Sequence, residues 1–286
     1  MPIDQVDVDA PEAEMSFWEH LEELRWHIIR ILIVLTIASS VAFLYPEIVY
    51  DKIILGPKNP DFITYKLLCQ FSQKFNLDDS FCHMHLDFDI VSRELGEQLS
   101  NQFWISFCMG LIITFPYFIW EIWRFVRPAL KQKERKYTVG VIFFTSMFMF
   151  IGVCFGYFVL CPMAVSFLGN YSISDQVKRL ISLESYISLV STLTIATGLV
   201  FELPMLIYFL AKIGIVTPHL MRKYRRWAII VILLVAAVLT PSPDFVSQLI
   251  MAVPLYGLYE LSVFIAAYVK RKRDIEEQKS GWASVD

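Results

Sequence analysis

Acids are the side chains of this sequence best placed to bind or exchange something: one beside a basic membrane edge, one inside an apolar run. Glu23 lies on a segment where His20, Glu23, His27 and Arg30 recur every three or four residues, beside an apolar set of Leu21, Leu24, Ile28 and Ile31. That spacing predicts an amphipathic helix in a membrane interface. Its polar face either is solvated and closed by i,i+4 salt bridges, or offers Glu23 to a cationic ligand. Glu202 follows the uncharged stretch Ser185 to Phe201 and precedes Pro204, which cannot donate a helical hydrogen bond. A carboxylate inside a span costs about 2.5–3.5 kcal/mol on insertion scales. It must therefore face a cavity, the bundle interior or a partner, or else be a protonated acid hydrogen-bonded within the bundle. Glu121, three residues before Arg124, and Glu260, within reach of a neighbouring span, are read as structural.

Cys69 and Cys82 are set to form a disulfide if their side of the membrane is oxidising, closing 14 residues for about 3 kcal/mol. Cys82 with His83 and His85 offers metal donors but lacks a fourth ligand. Cys108, Cys154 and Cys161 fall in apolar runs, where cysteine is a small filler. No nucleophile with a base, glycine-rich phosphate loop or metal motif accompanies His20 and His27. The chain is read as a protein that is not an enzyme, with no cofactor and no nucleic-acid partner.

Membrane spans carry these groups. The chain has 286 residues, 56% hydrophobic and 19% charged, where a soluble domain carries about 25% charged residues. Uncharged runs long enough for about 30 Å of hydrocarbon predict spans at residues 28–45, 103–123, 139–160, 186–211, 227–240 and 249–269. Residues 1–15 are acidic and proline-containing and are expected to be disordered. Ser16 and Glu19 form a capping box before the first span. Residues 46–102 are the one sizeable loop, with Ile90 to Leu99 an amphipathic stretch expected to lie flat before the second span. Residues 270–286 form a basic, then mixed-charge tail. The fifth span is the shortest: Ala228 to Thr240 covers about 20 Å as a helix. A helix that short must thin the bilayer or hide its ends against neighbours.

Charge placement orients the spans. Two Lys and Arg residues open the first span, six lie within 124–136, five within 212–226 and five from Lys270 onward, so 18 of the 25 share one side. By the positive-inside rule both termini are cytoplasmic. The first 27 residues lack an apolar signal core, so the first span is read as an uncleaved signal. The fold class expected is an all-α polytopic membrane protein, six helices in a concave bundle with both termini inside.

Four strings in order on this frame carry a resemblance. They are Phe17-Trp18-Glu19-His20-Leu21-Glu22-Glu23-Leu24-Arg25; Trp120-Glu121-Ile122-Trp123-Arg124-Phe125-Val126-Arg127-Pro128-Ala129-Leu130 with Lys133-Glu134-Arg135; Phe201-Glu202-Leu203-Pro204; and Leu239-Thr240-Pro241-Ser242-Pro243-Asp244 with Ser247-Gln248. From Phe17 to about Tyr268 the chain resembles the TatC family of twin-arginine translocase subunits. The resemblance implies a receptor for signal peptides bearing an arginine pair, in a bacterial inner membrane, that supports export of folded proteins on the proton-motive force. It implies recognition by Glu23 and Glu134, with Arg25, Phe125 and Pro128 in the same site. Glu202 matches the family's intramembrane acid, Pro57 its far-side proline and Asp244 its far-side aspartate. Implied partners are the small single-span subunits TatA and TatB, other copies of the chain and membrane lipid. The first far-side loop is longer here than in compact members.

Beside that implication, two spaced carboxylates suit charge-assisted hydrogen bonds from arginine, whose planar fork lysine lacks. A rival from another class is an ion- or proton-coupled transporter of a small solute, with Glu202, Pro204 and the break near Pro241 marking a site at mid-membrane. No internal repeat supports it, and the strongest polar clusters lie at the basic edge.

Overall fold

Where uncharged runs predict crossings, the computed structural model has long helices; it describes residues 17–74, 88–126, 138–171, 180–240 and 245–282. Helix α1 (Phe17–Leu44) is 28 residues without a proline and ends just before Pro46. Short wide and tight helical turns over Glu47–Ile54 and Gly56–Lys58 lead to α2 (Ile63–Lys74). Strand β1 (Asp89–Val91) precedes α3 (Glu97–Val126). Next, α4 (Thr138–Phe155), a wide turn over Gly156–Leu160 and α5 (Cys161–Asn170) make one rod. Strand β2 (Leu180–Ser182) runs into α6 (Leu183–Phe201), followed by α7 (Leu203–Ile213), α8 (Pro218–Lys223), α9 (Arg225–Leu239) and α10 (Phe245–Trp282).

Five helical runs among the described residues are long and apolar enough to cross a bilayer: Glu22–Leu44, Glu97–Val126, Gly140–Asn170, Leu183–Ile213 and Ser247–Ile275. The expected span at 227–240 is a helix, but its 15 residues rise only about 22 Å and fall short of a full crossing. The molecule is thus an all-α polytopic membrane protein. Its outward positions are apolar, with Ile37 60% and Val238 78% exposed, the inverse of a water-soluble surface.

The helices meet through small residues. Gly152 of α4 and Gly156 at the start of the wide turn after it lie against Thr197, Gly198 and Leu193 of α6, and a Cβ on Gly156 would overlap the Thr197 hydroxyl. Gly110 of α3 meets Ser39 of α1 in the same way. In lipid no hydrophobic force draws helices together, so close approach of backbones supplies the packing. Polar side chains join the same interfaces: Gln102 donates to the Phe43 carbonyl at the end of α1 (3.0 Å), Trp104 to Ser191 Oγ (3.1 Å) and Gln248 to the Leu233 carbonyl (3.1 Å).

The segment Ile90–Leu99 departs from its expected form. It is no flat helix, because β1 pairs in parallel with β2, Ile90 opposite Ile181, and α3 begins at Glu97. This three-residue ladder is the one departure from all-α structure among the described residues. Glu97 completes the join. One carboxylate oxygen accepts from the Arg93 (2.5 Å) and Glu94 (3.2 Å) amides and the Ser92 hydroxyl (3.2 Å), the other from the Glu184 amide at the start of α6 (2.8 Å). One acid thus ties the turn before α3 to the first amides of α6, which are otherwise unpaired.

Candidate functional site

At the end of the bundle where α1 begins, Glu23 is exposed on the early turns of the helix. Arg25 is exposed too; it pairs with Glu22 at 3.7 Å and lies 5.6 Å over the Trp26 ring. A solvated pair of this kind contributes little to stability, which leaves both side chains available to a ligand. His27 departs from the expected polar face. It is 8% exposed and donates from Nδ1 to Glu121 Oε2 of α3 at 2.5 Å. The second Glu121 oxygen accepts from Tyr117 at 2.8 Å, and no part of Glu121 reaches the surface. Glu121 therefore turns to α1 and not to Arg124, whose guanidinium lies 5.8 Å over Trp120.

Phe125, half-buried at the end of α3, meets the His27 ring edge-on at 5.9 Å. So α1 and α3, 94 residues apart at His27 and Glu121, bring Glu23, Arg25 and Phe125 to one end of the molecule. Pro128 and Glu134 lie outside the described residues. That end is also where Arg225 of α9 meets Glu260 of α10 at 2.5 Å, with Tyr256 3.1 Å from its Nε, and where Tyr259 donates to the Met221 carbonyl at 2.7 Å. Glu260 thus pairs with a neighbouring helix, as its sequence position allows.

Glu202 occupies the break between α6 and α7. Pro204, in the first turn of α7, has no amide to continue the ladder, and the chain bridges the gap by accepting the Met205 and Leu206 amides at the Glu202 carbonyl, both at 3.0 Å. Helix α7 then closes on Gly214, whose φ of 89° is left-handed and favours glycine. The Glu202 side chain is partly buried, and its Oε1 has no hydrogen-bond partner among the described residues.

At the opposite end, Pro57 is fully buried in a tight turn. Its carbonyl accepts from Tyr65 at 2.8 Å, and the same phenol lies 3.1 Å from the Pro162 carbonyl. Tyr157 and Tyr186 donate to the Ile53 (2.6 Å) and Ile54 (2.9 Å) carbonyls. Pro162 leaves the Phe158 carbonyl without its helical donor, and Thr64 of α2 supplies one. Burial pushes the Tyr65 phenol above its ordinary range. Cys69 is disulfide-bonded, while Cys82 and Asp244 lie outside the described residues. Among the described residues no group of three or more His, Cys, Asp or Glu could hold a metal ion.

His27, Glu97 and the tyrosines of this cap escape a sequence reading because their partners lie on other elements. Only the periodicity through His27 and Arg30 marks one of them as polar, and it points to water where the structure has a second helix.

An all-helical, multi-pass membrane protein with an acid at a proline break and exposed charges on its first helix is the class these features define. The family described as Sec-independent protein translocase protein (TatC) matches residues 19–254, and the chain belongs to that family. It is similar to the Sec-independent protein translocase protein TatC of Blattabacterium sp. subsp. Periplaneta americana, 36% identical over 91% of this chain and 98% of that protein. It is also similar to that of Carboxydothermus hydrogenoformans, 34% identical over 94% and 99%. Its structure resembles the crystal structure titled twin arginine translocase receptor TatC in DDM, with TM-score 0.65 and 28% identity over 87% of this chain and 99% of that one.

Proposed function

We infer that this chain is the receptor and core subunit of a twin-arginine translocase, binding arginine-pair signal peptides at the cytoplasmic face and supporting proton-motive-force-driven export of folded proteins. Family membership over residues 19–254 supports the function. The observation that carries the site is the exposed Glu23 carboxylate on α1, packed beside the end of α3 that leads through Phe125 toward Pro128 and Glu134 in sequence. Glu23 and Glu134 each take one guanidinium of the peptide, a bidentate contact that lysine cannot reproduce. Arg25, Phe125 and Pro128 shape the remainder of the site.

In this reading α9 completes a sixth crossing within thinned lipid, the bundle presents a concave face, and both termini lie in the cytoplasm of a bacterial inner membrane. The basic residues at one end of the bundle, including Arg222, Arg225, Lys270 and Arg271, support that orientation. TatA- and TatB-type single-span subunits, further copies of the chain and lipid are the partners. Cys82 is the proposed partner of Cys69. Pro57 belongs to the far-side cap, and Asp244 to the far side of the membrane, between α9 and α10 in sequence. Glu202, with an unpartnered oxygen at a helix break, is the proposed proton-responsive group.

The test is binding of a twin-arginine peptide to the purified chain in lipid nanodiscs. Glu23→Ala and Glu134→Ala are each expected to weaken it at least tenfold, as is changing the peptide's arginines to lysines. Undiminished binding in all three overturns the site.

A further inference from the structure

The His27–Glu121 contact lies beneath the receptor site and is joined to it on both helices. On α1, Glu23 precedes His27 by four residues, one turn along the same face; on α3, Phe125 follows Glu121 by the same interval. The buried pair therefore underlies an exposed carboxylate on one helix and a half-buried aromatic ring on the other. The His27 ring itself closes the square by meeting Phe125 at 5.9 Å. Both Glu121 oxygens are engaged, by His27 at 2.5 Å and Tyr117 at 2.8 Å, and the residue is buried, so this acid is not offered to a ligand. Arg124 is turned onto Trp120.

Midway along this interface α1 meets α3 through small residues such as Ser39 and Gly110, and Gln102 ties the other end of α3 to the Phe43 carbonyl, so His27–Glu121 is the hydrogen-bonded contact at the receptor end among the described residues. Small-residue packing sets how closely the two backbones approach, whereas a hydrogen-bonded buried pair also fixes the geometry of the side chains that form it. We propose that His27 and Glu121 are positioning residues of the signal-peptide receptor, locking the start of α1 to the end of α3 so that Glu23 is presented at a fixed distance from Phe125.

This role rests on the receptor function inferred for the chain. Telling an arginine pair from a lysine pair needs two carboxylates held at set spacing, while mere attraction to positive charge does not. A receptor site held by rigid supporting contacts gains affinity by pre-organisation.

The experiment measures binding of twin-arginine and twin-lysine forms of one signal peptide to the full chain in nanodiscs. His27→Ala is expected to weaken the arginine form about tenfold and leave the lysine form nearly unchanged, collapsing the discrimination. His27→Gln, whose amide can still donate to Glu121, restores it. A general structural defect would weaken both peptides alike and would not be rescued, and that result overturns the proposal. Normal discrimination in His27→Ala alongside loss in Glu23→Ala overturns it too, while leaving the receptor function intact. Normal binding in Glu23→Ala and Glu134→Ala, with no preference for arginine, removes that function itself. If His27→Ala does not accumulate, Tyr117→Phe takes its place, with about threefold loss of the arginine form expected; binding equal to that of the parent chain then overturns the proposal.

Discussion

Glu121 and Glu202 are both acids embedded in membrane helices, and the protein treats them in opposite ways. Glu121 is wholly enclosed with each oxygen engaged, whereas Glu202 is partly buried with an oxygen that has no partner among the described residues. The first ties two helices together. The second sits where α6 gives way to α7, at a place the backbone has already loosened for Pro204. Under the roles proposed above, the satisfied carboxylate serves position and the one left wanting serves change, a difference that does not follow from depth in the membrane alone.

The largest test of that contrast is Glu121→Ala. Removing the shared acceptor strands His27 and Tyr117 in the α1–α3 interface, and breaking a buried pair costs about 3 kcal/mol or more, to be read as lowered thermal stability in detergent micelles. Loss equal to that of Glu202→Ala would erase the distinction. Next is Gly156→Leu, which drives a side chain into Thr197 on the helix that leads to Glu202; overpacking here is expected to cost about 2 kcal/mol by the same measurement. Tyr117→Phe leaves one Glu121 oxygen without its donor and is expected to cost about 1.5 kcal/mol. Glu202→Gln closes the series, with stability within about 0.5 kcal/mol of the parent but export that no longer responds to the transmembrane proton gradient. Unaltered dependence of export on that gradient would remove Glu202 from the mechanism.

What can be read from the sequence varies with the range of the interaction. The spans read at 28–45, 103–123 and 249–269, which lie within or nearly within the helices at Phe17–Leu44, Glu97–Val126 and Phe245–Trp282, are readable because lipid demands continuous apolar helix, and charges mark their ends. The break at Glu202 is readable because proline acts on its own backbone. Ile90–Leu99 misleads because its amphipathic spacing is local while its strand pairing, Ile90 to Ile181, depends on a segment far along the chain. His27 misleads for the same reason: periodicity reports that a residue is polar, but not whether water or another helix will satisfy it.

Sequence alone therefore settles the solvent of this protein, the placement of its long helices, the family strings around Glu23, Glu134 and Glu202, and the bias of its basic residues toward alternate loops. These follow from hydropathy, proline and charge counts, which need no knowledge of what lies opposite. Folding is required to show that His27 meets Glu121, that Glu97 joins the turn before α3 to the start of α6, that tyrosines close the turns after α1, and that the helix at Arg225–Leu239 stops short of a full crossing. Each of those depends on which residues the packed helices bring together or where a helix ends, and such facts exist only once the chain has folded.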